Sequence, residues 1–243
     1  MQKPWTEDPV MRRVRFTNVH RENDRVTRWI KERWRDPYAD HPNLTLAMVM
    51  ARFVNRPETL DIIRFPTQWG DAQRNHYKKI LRALATDRTH GPVWGNAYII
   101  TTCGKTMAKE DYVIDHVCDA VYRGNFNWNV PGVTLEYAHR VLMSVDGLGS
   151  FLAAQVVADL KNTPGHPLQT APDWWTWCAH GPGSLRGLSA FFHKDIRPTQ
   201  FRMYFDDCRG LTAGYISREI PRISAQDFQN CLCEFSKYMR VRE

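Results

Sequence analysis

The sequence predicts an all-α fold, and three observations carry that expectation. Apolar residues recur at helical spacing over most of the 243 residues. Strand signals are thin and confined to one stretch, Val93 to Thr102, which reads equally well as a buried helix. Two amphipathic segments are joined by the glycine-bracketed bend Val145-Asp146-Gly147-Leu148-Gly149, the pattern of a helical hairpin.

Residues 1–15 read as a basic, loosely ordered arm, and residues 16–243 as a single helical domain of two packed lobes. A helix begins at Asn23 or Asp24, with Val26, Trp29 and Ile30 on one face and Arg25, Arg28, Lys31 and Arg35 on the others. Asp36-Pro37 stops it. Leu44 to Val54 supplies a nearly continuous apolar surface through Leu44, Ala47, Met48, Ala51 and Phe53. Thr59 to Phe65 and Gln73 to Ala85 repeat the helical pattern, the second through Tyr77, Ile80, Leu81 and Leu84. Met107 to Arg123 makes another helix, the hairpin follows over 134–160, and the Pro/Gly-rich stretch Asn162–Pro172 is the clearest hinge.

Composition narrows the function classes. The chain is 43% hydrophobic and 12% aromatic, enough to bury a core. Its 33 Lys and Arg against 26 Asp and Glu give a net charge of +7, which points toward a polyanionic partner or to ordinary basicity. No apolar run is long enough to span a membrane and no signal peptide opens the chain. The six cysteines lack zinc-site spacing, so no metal is expected, and they read as reduced thiols of a cytoplasmic protein. Gly104-Lys105-Thr106 imitates the end of a P-loop, but Ile99 stands where its first glycine is required, so no ATP site follows.

The hairpin carries the strongest functional signal. Thr134 is a good N-cap with Glu136 in the first turn, and Leu135, Ala138, Val141 and Leu142 recur at helical spacing. After the bend a second helix runs through Phe151, Ala154, Gln155, Val157, Ala158 and Leu160. Its first amides lack partners inside the helix, and with the dipole behind them they offer a phosphate seat. Gly147, Leu148, Gly149 and Ser150 are therefore candidate DNA-backbone contacts, with Leu148 plugging back between the helices; a plain packing corner is the alternative.

The densest unusual stretch runs from Ala171 to Gly187. Trp174, Trp175 and Trp177 read either as a stacking platform for an extruded base or as core filling. Gly181, Gly183, Ser184 and Arg186 read either as a phosphate cradle followed by a cation or as a structural turn. Asp173 suits a catalytic carboxylate or a helix N-cap, and Cys178 with His180 are candidates for nucleophilic work. Near the start, Asn18, Arg21, Asp24 and Arg25 read as a pocket-lining cluster or as a solvated face.

On these residues the chain resembles the helix–hairpin–helix DNA glycosylase superfamily, through Val145–Gly149, the Ala-rich helix after it and Asp173. Ser150 follows the hairpin glycine, and the lysine of bifunctional glycosylases is absent near it, which argues against a lyase mechanism. It resembles more closely the phage proteins of thymine hypermodification: 5-hydroxymethyluracil DNA kinase helical domains, α-glutamyl/putrescinyl thymine pyrophosphorylases and amino acid:DNA transferases. The segments that carry this are Arg21–Thr27, Trp94-Gly95-Asn96-Ala97-Tyr98, Gly149–Leu160 and Gly181–Gly187. The resemblance implies a glycosylase-like helical fold, with Asn96 joining Asn18, Arg21 and Arg25 around the pocket. It implies an enzyme in the host cell cytoplasm acting on duplex DNA with modified thymine or uracil bases. An amino acid or polyamine would displace (pyro)phosphate from activated 5-hydroxymethyluracil, without a cofactor. The rivals are a non-catalytic DNA-binding module serving a separate kinase, and a base-excising glycosylase.

Overall fold

The computed structural model describes residues 6–87, 89–98, 100–216 and 220–242, and among these no strand occurs. The helices in chain order are α1 (Pro9–Arg13), α2 (Arg25–Ile30), α3 (Leu44–Val54), α4 (Pro57–Ile63), α5 (Asp71–Thr86), α6 (Lys109–Asp111), α7 (Asp119–Gly124), α8 (Leu135–Met143), α9 (Ser150–Lys161), α10 (Pro182–Phe192), α11 (Phe201–Thr212) and α12 (Ala225–Arg242). The chain divides into two compact units: Arg25–Trp174, and the segment up to Asp24 together with everything from Trp175 onward.

The larger unit is built around α3. Ten of its 11 residues are buried, which a helix apolar on every side requires. Its single buried cation, Arg52, donates from Nε to Asp159 Oδ2 at 2.6 Å and from one terminal nitrogen to Oδ1 at 2.5 Å; that nitrogen also reaches Thr27 Oγ1 at 3.2 Å. Arg52 and Asp159 are 1% and 0% exposed, so this bidentate pair fastens α3 to α9 inside the core. Around it α2 continues as a π-helical stretch, Lys31–Arg35, and a 3-10 turn, Asp36–Tyr38. The Asp36-Pro37 stop thus falls one turn late, because Pro37 is accepted at the start of a new turn. A second π-helical stretch, Tyr112–Cys118, links α6 to α7. Residues 93–98 and 100–102 form neither strand nor helix: bends and turns carry them across the surface of the unit, with the Gly95 amide donating to Val54 O at 2.8 Å.

The smaller unit forms on α12. Its apolar cluster joins Cys178, Leu188, Ile196, Phe201, Phe205, Cys208, Phe228 and Leu232. α10 packs along α12 at backbone contact: a methyl group on Gly187 would lie 2.1 Å from Leu232 O, and one on Gly183 would lie 3.0 Å from Cys233 Sγ. Of the expected arm, residues 6–15 are described and carry α1; its first five residues lie outside the described set. Asp8 caps α1 by accepting from the Val10 and Met11 amides, and its other oxygen takes the Tyr238 hydroxyl at 2.6 Å, so the arm lies against α12.

Two outcomes follow. Asp159→Asn leaves the Arg52 guanidinium buried without a counter-charge and is expected to cost about 3–5 kcal/mol, read by urea denaturation. His166 is buried behind Trp128, and burial holds its imidazole down at about 4. The unfolded chain binds that proton near pH 6.5, so the contribution is complete above about pH 6.5 and is lost as pH falls toward 4, by about 3 kcal/mol at most. Calorimetric midpoints should fall across that window, and His166→Asn should flatten the fall.

Candidate nucleic-acid interface

Thr134 Oγ1 caps α8 by accepting from the Tyr137 amide at 3.0 Å. After α8 the chain turns through a bond from the Leu148 amide to Val145 O, 3.0 Å long. Gly147 has φ +92°, and a methyl group there would lie 2.5 Å from Tyr112 Oη and 2.9 Å from Val117 Cγ2. The position therefore demands glycine both for its dihedral and for its clearance. Leu148 is 2% exposed and anchors the bend from beneath.

Gly149, the N-cap of α9, is exposed, with open space where a side chain would stand and no side-chain cap on the helix. The amides of Ser150, Phe151 and Leu152 thus start the helix without an internal partner, on the outside of the protein. Ser150 O and Oγ face His139 Nε2 at 2.9 and 3.3 Å, which ties the first residue of α9 back to α8. Phe151 is half-exposed, its ring edge-on to Tyr98 at 4.9 Å, and the Tyr98 hydroxyl donates to Gln155 Oε1 at 3.2 Å. An exposed aromatic beside bare helix amides suits a nucleotide better than a protein core.

Asp173 does not stand free in front of the tryptophans. Its Oδ1 accepts from the Leu135 amide at 2.8 Å and its Oδ2 from the Glu136 amide at 3.1 Å, so it caps α8 from a distant part of the chain. The three tryptophans are held in different ways. Trp174 belongs to the larger unit, where its indole N–H donates to Lys161 O at 3.1 Å and the buried Lys161 ammonium covers its face at 4.0 Å. Trp175 and Trp177 belong to the smaller unit: Arg222 lies 4.2 Å over the Trp175 ring, and Trp177 is buried. None of the three is exposed: Trp174 and Trp175 are half-buried and Trp177 is buried.

Cys178 is buried in the apolar cluster, and His180 is exposed with its ring 5.7 Å from Phe201. Apolar burial is the setting of a structural thiol rather than a nucleophile. In the Gly181–Gly187 stretch the Gly181 amide donates to the buried Ser184 Oγ at 3.0 Å, while Gly183 and Gly187 face α12. In that stretch Pro182 and Arg186 are exposed. What reads as a phosphate cradle is a capped helix start followed by a close helix–helix contact.

Asn18 and Arg21 fall in the smaller unit, where the Asn18 amide donates to Asn23 O at 3.1 Å and the Arg21 amide to Asp227 Oδ1 at 3.0 Å. Arg25 and Asn96 fall in the larger unit and are exposed. Arg25 lines an open cleft of about 610 Å³ in which Arg25 meets Glu58 at 3.2 Å and Arg33 meets Asp61 at 3.5 Å. Among the described residues no group of three or more His, Cys, Asp and Glu side chains could hold a metal, and no helix is long and apolar enough to cross a membrane.

The sequence profile of the family described as "5-hmdU DNA kinase, helical domain" matches residues 1–243. The chain belongs to that family. Among curated relatives of this helical-domain family is the 5-hmdU DNA kinase of Bacillus phage SP10, 26% identical over 268 residues. The match covers 97% of this chain and 41% of the relative, so the chain spans about two fifths of that protein's length. No solved structure matches it.

The Asp173 cap is open to a direct measurement. Asp173→Ala is expected to cost about 1 kcal/mol and lower the melting temperature by about 2–4 °C, whereas Asp173→Asn, which keeps one acceptor oxygen, should cost less. Circular dichroism melts of the two variants separate the cases.

Proposed function

We propose that this chain is the DNA-gripping helical module of a thymine-hypermodification system and holds DNA bearing 5-hydroxymethyluracil. One observation carries the reading: the exposed, uncapped start of α9, set behind a bend whose Gly147 and Leu148 are locked into the protein. A clamp of that kind touches phosphate and not bases, so it supplies affinity and register rather than sequence readout. The net charge of +7 supports it, as does membership in a family named for a DNA kinase. Phosphoryl transfer itself is assigned outside this chain's motifs, since Gly104-Lys105-Thr106 lacks the first P-loop glycine.

A second reading, amine transfer onto the phosphorylated base, is favoured by Asp173. Its carboxylate is held by the Leu135 and Glu136 amides, which fixes an anionic acceptor beside the first turn of α8. In that reaction the amine nitrogen attacks the 5-methylene carbon, the carbon–oxygen bond breaks, the (pyro)phosphate leaves with the electron pair, and Asp173 takes the amine proton. The buried Cys178 favours this direct displacement over covalent addition to the ring.

The test is incubation of the protein with duplexes carrying 5-hydroxymethyluracil or its phosphorylated form and a mixture of amines, followed by mass spectrometry of the nucleosides. Binding with unchanged DNA supports the module, an aminated nucleoside supports transfer, and a released base would show excision instead. Gly147→Val is expected to weaken binding on the order of tenfold for every sequence alike, read by fluorescence anisotropy. A loss confined to particular sequences would contradict backbone clamping.

A further inference from the structure

The tip of the α8–α9 bend carries a group that a phosphate-binding surface should repel. Asp146, beside Gly147, is exposed over 71% of its side chain. Its charge is not left to solvent. One oxygen, Oδ2, lies 3.0 Å from Lys105 Nζ and 3.0 Å from His116 Nε2. Lys105 comes from the loop before α6 and His116 from the π-helical stretch, so two separate segments converge on a single carboxylate oxygen. The Lys105 ammonium, with His116 behind it, holds the Asp146 carboxyl below the usual carboxylate range.

One of the two donors, His116, is built into the support of the bend. The His116 ring stacks on Tyr112 at 5.3 Å and 26°, and Tyr112 with Val117 forms the wall against which Gly147 lies. The Asp146 side chain, by contrast, lies on the surface, where a rotamer change is fast and cheap. An anionic oxygen shared by the Lys105 ammonium and the His116 ring nitrogen has the geometry a phosphate oxygen would take there.

We propose, on the strength of the clamp reading above, that Lys105 and His116 form a second phosphodiester site beside the bare amides of α9. Asp146 is its resident counter-ion: it fills the site in the free protein and swings away when a DNA backbone arrives. The acid at the tip therefore tunes the grip on DNA instead of contradicting it. Binding at this site exchanges one internal ion pair for one with phosphate, so it adds little to net affinity or to salt dependence until the acid is removed.

Asp146→Asn keeps the shape of the side chain and removes its charge. Anisotropy titrations on an unmodified duplex over a salt series should show Asp146→Asn binding on the order of fivefold more tightly at low salt. Its log–log salt slope should steepen by about one. In a Lys105→Gln, His116→Gln background the same substitution should bring almost no gain. Unchanged or weaker binding by Asp146→Asn would overturn the proposal, as would an equal gain in both backgrounds, which reports only long-range charge. Wild-type binding without the Asn gain removes this site alone; no binding by any form removes the clamp as well.

Discussion

The buried pair between Arg52 and Asp159 is the constraint on which the candidate interface depends. A clamp made of backbone amides works only if the helix presenting them is held still. Both charges are removed from water, and Thr27 Oγ1 takes a further guanidinium N–H, so α2, α3 and α9 meet at one polar point inside an apolar unit. Such a pair adds little net stability over apolar packing, but it tolerates few alternative registers, because any slide of α9 along α3 separates the charges. The start of α9 at Ser150 inherits its position from that lock, nine residues before Asp159 on the same helix.

The same residue type serves opposite purposes in the two units. Gly147 gives a left-handed turn under the wall made by Tyr112 and Val117, and its neighbour Gly149 leaves a helix start open. Gly183 and Gly187, four residues apart on one helix face, let α10 approach α12 until its backbone meets Cys233 Sγ and Leu232 O. Spacing alone does not separate these uses. The deciding fact is what lies opposite, and for α10 that is a helix more than 40 residues further along the sequence.

This explains which parts of the molecule could be read in advance. α3 was legible to the residue, because a run with no polar face has one stable placement. The hairpin was legible because its glycines, cap and apolar stripe are local. The Arg52–Asp159 pair spans 107 residues and leaves no local pattern. Asp173 caps a helix that starts 38 residues earlier, a contact that its neighbours in sequence do not signal. Residues 93–98 and 100–102 have the apolar content of an element but are fixed by contacts such as Gly95 to Val54 rather than by a ladder or a turn of their own. Nothing in the sequence marks His139, and Tyr98 and Phe151 enter it only as members of a segment and of a helical pattern; the fold alone gathers the three around the first turn of α9.

The π-helical stretch from Tyr112 to Cys118 has a consequence for how the family can vary. A π turn holds one residue more than the α turn it replaces, so it behaves as a single-residue insertion absorbed within a helix. Losing that residue would restore an ordinary helix and leave the faces of α6 and α7 in register with their neighbours. The rings and methyls beneath Gly147 would rotate away, however. Shortening the chain by one residue here would thus spare the scaffold and unseat the bend, a route by which a descendant could keep this architecture while giving up its hold on a strand.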